Sequence, residues 1–122
     1  MQKLTKAEEE VMQYLWELKR ATVSQLIEKM TEPKPPHSTI SSIIRILEKK
    51  GAVDHKAYGR TYEYFPLVTR DEYSAGSIDR LAKDYFGGSL RKMVSFLVQR
   101  DDLSLKDLEE IRSKLDEKDK EA

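Results

Sequence analysis

The fold of this chain is decided by residues 37–67, which read HSTISSIIRILEKKGAVDHKAYGRTYEYFPL. Four apolar residues in the first half of this stretch recur at i, i+3, i+4 and i+7, the spacing of one buried face of an α-helix. They are Ile40, Ile43, Ile44 and Leu47. His37 or Ser38 is expected to cap this helix, and Gly51 to end it as a C′ residue. We therefore predict a helix that begins near Ser38 and ends before Gly51.

Two strand-like runs follow this helix, Val53 to Ala57 and Thr61 to Leu67. Tyr58-Gly59-Arg60 joins them, a short glycine-containing connection that is typical of a β-hairpin. Because an isolated hairpin is marginally stable in water, we expect this one to pack against the helices. The candidate contacts are Tyr62, Tyr64 and Phe65.

Two more helices are predicted upstream. Residues 5–8 (TKAE) and 22–25 (TVSQ) both have the capping-box pattern, in which two side chains satisfy backbone N–H groups at a helix start. Residues 32–36 (EPKPP) then break the chain, because proline has no N–H and disfavours helix in its predecessor. Three helices followed by a two-stranded hairpin are the parts of a winged helix. We therefore predict a winged helix-turn-helix DNA-binding domain in residues 1–70.

Beyond Leu67 only helices are predicted, with capping patterns at residues 69–72 and 104–107 and the helix-breaking pair Gly87-Gly88 between them. About fifty residues with wide apolar stripes are near the lower limit for independent folding. We therefore predict a helical dimerisation region in residues 71–122, which makes the fold mainly α with a small β-hairpin. The alternative is that these helices fold back on their own N-terminal domain. The residues predicted to pair two subunits are Ile78, Leu81, Tyr85, Phe86, Leu90, Met93, Val94, Leu97, Val98, Leu105, Leu108, Ile111 and Leu115.

The outward face of the third helix carries hydroxyl and basic side chains opposite the isoleucine face. Serine and threonine form helices less readily than the residues expected on a merely solvated surface. Short hydroxyls allow close approach to base edges or phosphates, Arg45 could bind a guanine bidentately, and lysines suit phosphate contacts. The predicted DNA contacts are Ser38, Thr39, Ser41, Ser42, Arg45, Lys49 and Lys50. The structural alternative is that Ser38 only caps the helix and the other serines only fill surface.

Near the hairpin tip, His55, Lys56, Arg60 and Thr61 could reach the phosphate backbone or a minor groove. A basic wing is also common surface decoration, so this signal is weaker than that of the helix. We interpret His55 as a partly exposed strand residue rather than as a metal ligand or a catalyst.

The formal net charge of zero hides an asymmetry between the two halves. Residues 1–70 carry 12 Lys and Arg against 9 Asp and Glu, net +3, whereas residues 71–122 carry 10 against 13, net −3. Within residues 34–60, six basic side chains oppose only Glu48 and Asp54, net +4. A polyanion would meet that segment first. With 36% charged residues, however, local imbalance also arises without function.

Catalytic and metal-binding constellations cannot be assembled from the sequence. It has no cysteine, no HExxH, no phosphate-cradling glycine loop and no GxSxG. Its two histidines, His37 and His55, are too few for a His-based zinc site without carboxylate help, so we expect neither a metal nor a cofactor. No apolar run approaches the roughly 18–20 residues needed to cross a membrane, and we expect a cytoplasmic protein without a signal peptide.

The order and spacing of several short motifs resemble the penicillinase-repressor family of the BlaI/MecI type. The match covers nearly the whole chain. The residues that carry it are Leu4-Thr5, Glu8, Val11-Met12, Leu15-Trp16, Ser38-Thr39-Ile40, Arg45 to Gly51, Gly59-Arg60, Tyr64, Pro66-Leu67-Val68, Phe86-Gly87-Gly88-Ser89, Asp102-Leu103-Ser104 and Leu115.

This resemblance implies a transcriptional repressor whose third helix docks in the major groove of a palindromic double-stranded DNA operator, while the C-terminal helices hold a homodimer. In the β-lactam-responsive members a sensor-activated protease cuts the second C-terminal helix, and the matching bond here joins Ser95 to Phe96. The family usually has asparagine before that bond, so Ser95 is a departure. The copper-responsive members use C-terminal cysteines, which this chain lacks.

Two other function classes compete with the operator-binding repressor. A winged helix can serve as a protein–protein interaction adaptor without DNA specificity, and the modest net charge fits that alternative. A small hydrolase or metal-dependent enzyme is disfavoured, because its constellations are missing.

Overall fold

The computed structural model describes residues 3–121, with side chains described for residues 3–115. In this range the chain forms six helices and one two-stranded antiparallel hairpin, which confirms the predicted fold class. The elements are α1 Lys6–Leu18, α2 Val23–Lys29, α3 His37–Lys49, β1 Val53–Tyr58, β2 Thr61–Pro66, α4 Arg70–Tyr85, α5 Leu90–Gln99 and α6 Leu105–Glu121. They divide into two compact units, Met1–Ser77 and Ile78–Ala122.

Both predicted capping boxes are present at the starts of α1 and α2. The Thr5 hydroxyl accepts from the Glu8 N–H at 3.2 Å, while the Glu8 carboxylate accepts from the Thr5 N–H at 2.8 Å. Thr22 and Gln25 exchange the same pair of hydrogen bonds, at 3.2 Å and 2.9 Å. These reciprocal bonds satisfy two N–H groups that each helix start would otherwise leave open.

The two ends of α3 differ in how well the sequence predicted them. The N-cap is Pro36, which makes no side-chain hydrogen bond, and His37 is already the first helical residue. The expectation that His37 or Ser38 caps the helix is therefore wrong; the extended conformation of Pro36 sets the start instead. At the other end Gly51 has φ of 79°, and the Ala52 N–H donates to the Leu47 carbonyl at 2.9 Å. Gly51 thus ends the helix as predicted.

The core of the first unit lies between α1, α2, α3 and the hairpin. Ile40, Ile44 and Leu47 are buried and Ile43 is half-buried, which confirms the predicted isoleucine face. They pack with buried residues from the other elements. These include Val11, Met12, Leu15, Leu26, Val53 and Tyr64. Burial of α3 on one face leaves its opposite face to solvent.

The hairpin packs on the helices chiefly through Tyr64. Tyr64 is buried and Phe65 is half-buried, whereas Tyr62 is 47% exposed and lines a groove with residues of α2 and α3. Residues 62 and 64 share a strand face; Tyr64 lies beside Ala21, whereas Tyr62 is closer to the tip. Ala21 exchanges two backbone hydrogen bonds with Tyr64, at 2.9 Å and 2.8 Å. This bridge ties the hairpin to the turn between α1 and α2.

The hairpin turn is one residue shorter than predicted. The register pairs Val53 with Pro66 and Tyr58 with Thr61, so Tyr58 belongs to β1. Gly59 and Arg60 alone form the loop, and Gly59 has φ of 63°. Two-residue loops of this kind favour residues that tolerate positive φ, because their twist matches the twist of the strands.

The first unit extends past the predicted domain boundary into α4. The Tyr73 hydroxyl donates to a Glu9 carboxylate oxygen at 2.7 Å and accepts from the Leu4 N–H at 3.3 Å. Trp16 donates its indole N–H to the Val68 carbonyl at 2.8 Å. These contacts hold the start of α4 against α1, and the compact unit ends after Ser77 rather than after residue 70.

The second unit exposes its apolar side chains. Gly87 and Gly88 have φ of 59° and 81° and separate α4 from α5, as predicted. Ser89 and Ser104 cap the next two helices. Each of the thirteen side chains predicted to pair subunits is exposed or half-buried in the single chain. Within the described residues, no helix is both long enough and apolar enough to span a membrane.

Candidate nucleic-acid interface

The structure gathers most of the predicted DNA-contacting residues on the outward face of α3, which comprises Ser38, Thr39, Ser41, Ser42, Arg45 and Lys49. All six are exposed except Ser41, which is half-buried. Among the described residues, no ion pair involves Arg45 or Lys49. The face therefore presents hydroxyls on its N-terminal half and two uncommitted cations on its C-terminal half.

His37 is a polar residue of this surface that the sequence prediction missed. It is exposed in the first turn of α3, and its Nδ1 lies 3.3 Å from the Ser41 hydroxyl oxygen. The i, i+4 spacing of these two residues was the available signal. His37 and Ser41 line a groove of about 260 Å³ together with the N-terminal end of α2 and the hairpin. Its other lining residues are Thr22, Val23, Ser24, Arg60, Thr61, Tyr62 and Tyr64.

Lys50 has a partner inside the protein. Its Nζ lies 2.6 Å from Glu8 Oε1, and the side chains of Lys50 and Glu8 are only 20% and 6% exposed. Burial raises the pKa of Glu8, but hydrogen bonds from Lys50 and Thr5, with the charge of Lys50, outweigh it and leave this pKa below its usual value. Lys50 thus joins α3 to α1, and we leave it out of the proposed phosphate contacts.

Lys34 also has partners within its own domain. Its Nζ donates to the carbonyl oxygens of Ile27, Glu28 and Met30 at 3.0 Å, 3.0 Å and 2.9 Å. These are carbonyls at the C-terminal end of α2, where a cation also complements the helix dipole. Two of the six cations that concentrate charge in residues 34–60 therefore stabilise the helix-turn-helix itself.

The four predicted DNA-contacting residues of the hairpin lie on its two faces and at its tip. His55 is half-buried, stacks on Tyr62 with ring centroids 4.3 Å apart, and contacts a Glu48 carboxylate oxygen through Nδ1. Lys56 lies on the opposite face, where its Nζ is 5.6 Å from the centroid of the Tyr58 ring. Arg60 and Thr61 are exposed at the tip, beside the groove that His37 lines. Of these four, Arg60 and Thr61 are thus the best placed to act with α3.

Glu48, Asp54 and His55 could together hold a metal ion. A ligand atom from each lies within 4.8 Å of the other two, and the three residues join the last turn of α3 to the start of β1. Burial raises the pKa of Tyr64, and the nearby negative charge of Glu48 raises it further. Glu48 thus belongs to this cluster and also influences the neighbouring Tyr64.

The second unit contains an apolar groove of about 710 Å³ between residues of α4 and α5. It is lined by Ile78, Leu81, Tyr85, Phe86, Met93, Phe96, Leu97 and Arg100. Six of these eight residues were predicted to pair subunits. Phe96 is 44% exposed, and its ring centroid lies 5.5 Å from that of Phe86. The Ser95–Phe96 bond thus lies in an exposed stretch of α5 at the edge of this groove.

Comparison with known proteins identifies a family of repressors that this chain matches over nearly its whole length. The family model described as "Penicillinase repressor" matches residues 4–117. The chain is 29% identical over 116 residues to the methicillin resistance regulatory protein MecI of Staphylococcus aureus strain N315, covering 94% of each. It is 26% identical over 115 residues to the penicillinase repressor of Bacillus licheniformis, covering 93% of this chain and 90% of that one.

A solved structure is similar to the first unit. The solution structure of the DNA-binding domain of the repressor BlaI matches with a TM-score of 0.51 and 28% sequence identity. The match covers 60% of this chain and 94% of the BlaI domain. The region with the winged-helix fold is therefore the part that corresponds to a known DNA-binding domain.

Proposed function

Because this chain belongs to the penicillinase repressor family of winged-helix DNA-binding repressors, we propose that it represses transcription by binding a palindromic operator as a homodimer. The observation that carries the proposal is the outward face of α3, where small hydroxyl residues precede an exposed arginine that has no ion pair among the described residues. Serine and threonine side chains let the helix approach base edges closely, and arginine can donate two hydrogen bonds to guanine O6 and N7.

The proposed contacts fall into two groups. Arg45 and the hydroxyl residues of α3 read bases in the major groove, whereas Lys49, Arg60 and Thr61 bind phosphates. His37 joins the second group, because it lies beside Ser41 at the groove that Arg60 and Thr61 line. We also leave His55 out of this set, since its ring is engaged with Tyr62 and Glu48.

Exposed apolar surface supports the homodimer. Ten large hydrophobic side chains of residues 78–115 are at least 36% exposed in the single chain. Such surface is costly in water and marks an association site. A twofold-symmetric pair of winged helices would bind two half-sites in a palindrome.

The test is selection of binders from a pool of random DNA duplexes at fixed salt. We expect recovered sequences to share a palindrome, and each dimer to bind one duplex. Recovery of no shared palindrome would contradict operator binding and favour the adaptor hypothesis. Light scattering on the unbound protein gives the oligomeric state independently.

We further propose that cleavage of the Ser95–Phe96 bond relieves repression. A cut there would separate Leu90, Met93 and Val94 from Leu97 and Val98, which belong to the same apolar stripe of α5. In bacteria that express this chain, mass spectrometry should detect a fragment ending at Ser95 when the repressed genes are induced. Induction with the chain intact would show that relief uses another route.

A further inference from the structure

We propose that Glu48, Asp54 and His55 bind a divalent transition-metal ion of the zinc class at the junction between α3 and the hairpin. The three ligand atoms already lie within 4.8 Å of one another. In a tetrahedral zinc site, ligand atoms about 2.0–2.2 Å from the metal would be roughly 3.4 Å apart. Modest rotation of these side chains, all of which reach solvent, would bring them to that spacing.

The backbone that carries these ligands is firmly held. Glu48 lies one residue after Leu47, which is fully buried, and Asp54 lies one residue after Val53, which is 1% exposed. The intervening turn closes through the hydrogen bond from the Ala52 N–H to the Leu47 carbonyl. A site on such rigid elements costs little additional ordering when the ion binds.

The donor set selects the class of ion. Two carboxylates alone would suit calcium or magnesium, whereas an imidazole nitrogen favours zinc and its neighbours in the first transition row. His55 is oriented by packing, because its ring stacks on Tyr62 at an interplanar angle of 16° and lies 5.7 Å from Tyr64. With Nδ1 already turned toward Glu48, three protein ligands would leave one position open for water.

The charge of a bound ion would affect the affinity of the protein for DNA, an inference that rests on the proposed function. Glu48 precedes Lys49 and follows Arg45 by one helical turn, so its carboxylate lies beside the surface proposed to meet DNA phosphates. The neighbouring Asp54 side chain is exposed and accepts only from the His55 N–H among the described hydrogen bonds. A bound divalent cation would offset both negative charges and would strengthen binding to DNA.

The site is tested first without DNA, by titrating Zn²⁺ into the metal-stripped full-length protein and measuring heat. We expect one saturable site per chain and at least about tenfold weaker binding in His55→Ala. His37→Ala is the matched control, since it removes the other histidine and should leave the affinity for Zn²⁺ unchanged. Asp54→Asn provides a second, nearly isosteric loss of a ligand if His55→Ala unfolds, as judged by circular dichroism.

No saturable binding, undiminished binding in both ligand variants, or an equal loss in His37→Ala would overturn the site. Operator affinity is then measured with and without one equivalent of Zn²⁺. We expect tighter binding by the wild type only, and equal affinities would overturn the coupling to DNA. If the protein binds zinc at this site but no DNA palindrome, the proposed function fails while the metal site stands.

Discussion

Glu8 and Lys50 form the ion pair with the lowest exposure among the described residues, and it joins the first turn of α1 to the end of α3. Removing one partner of such a pair leaves the other charge buried and typically costs about 3–5 kcal/mol. Because Lys50 keeps some exposure to solvent, we expect Lys50→Met to lower the free energy of unfolding by about 2–3 kcal/mol. Urea denaturation measures this effect.

The adjacent Lys49 supplies the control for that substitution. Lys49 is exposed and has no ion pair in the described part of the chain, so Lys49→Met should change the stability by less than about 0.5 kcal/mol. Equal losses in the two variants would contradict a stabilising role for the buried pair.

The same pair makes stability depend on pH. The folded pKa of Glu8 lies below its value in the unfolded chain, so ionised Glu8 stabilises the fold above the unfolded pKa. This contribution is lost as the pH falls through the lowered folded pKa. We therefore expect the stability difference between wild type and Glu8→Gln to be full at pH 7 and to shrink below about pH 4. Urea denaturation across this range measures it, and Glu10→Gln, on the exposed side of α1, should show no comparable trend.

Arg45 is the residue on which sequence specificity should depend most. Loss of a bidentate contact to guanine typically costs about 1–3 kcal/mol and relaxes specificity at one base pair. Arg45→Ala should therefore lower the affinity for the selected operator while leaving the affinity for random duplexes nearly unchanged. Lys49→Ala should lower the affinity for both kinds of duplex equally. It should also reduce the slope of log affinity against log salt concentration by about one counterion. If Arg45→Ala behaved like Lys49→Ala, Arg45 would be a phosphate contact.

At the scale of elements, Lys34 stabilises the helix-turn-helix by binding the C-terminal end of α2. It binds three carbonyls at the end of α2, just before the chain turns into α3. Lys34→Met keeps most of the side-chain stem but removes the charge, and should cost about 1 kcal/mol of stability, since the site is largely exposed.

The same variant separates a structural cation from a DNA contact. Operator affinity should fall in Lys34→Met because α3 is less well positioned, yet the slope of affinity against salt should stay at the wild-type value. A reduced slope, as expected for Lys49→Ala, would show that Lys34 contacts phosphate directly.

Local signals in the sequence predicted the helices and strands well, but they could not predict which charged side chains form ion pairs. Capping boxes, the isoleucine spacing and glycine at a helix end act over a few residues, so they are readable from a pattern. The start of α3 at Pro36 was missed because proline capped without a side-chain bond. Lys50 and Glu8 are 42 positions apart, and no local rule indicates that they meet. The candidate metal site could not be predicted from the sequence, because Glu48 and His55 lie in different elements.

At the scale of the molecule, operator binding should depend on the second unit. Leu81 lines the apolar groove and is 46% exposed. Leu81→Asp should give monomers in light scattering, because it places a charge on the surface proposed to pair subunits. Since two linked half-sites can raise affinity by 10²–10⁴, operator affinity should fall by about a hundredfold or more.

An exposed leucine of the first unit controls for this change. Leu67 is 54% exposed, and Leu67→Asp should leave a dimer. If Leu81→Asp also remained a dimer at low concentration, the apolar groove would not form the subunit contact.

The bridge between Ala21 and Tyr64 gives the small sheet an inner strand and an outer strand. β2 is hydrogen-bonded on both sides, to β1 and to residue 21, whereas β1 has one partner in the described residues. An edge of this kind can template pairing with another chain, and charged residues on an edge strand oppose such pairing. Asp54 and Lys56 on β1 are exposed and oppositely charged. They therefore oppose edge-to-edge pairing of β1 with another chain.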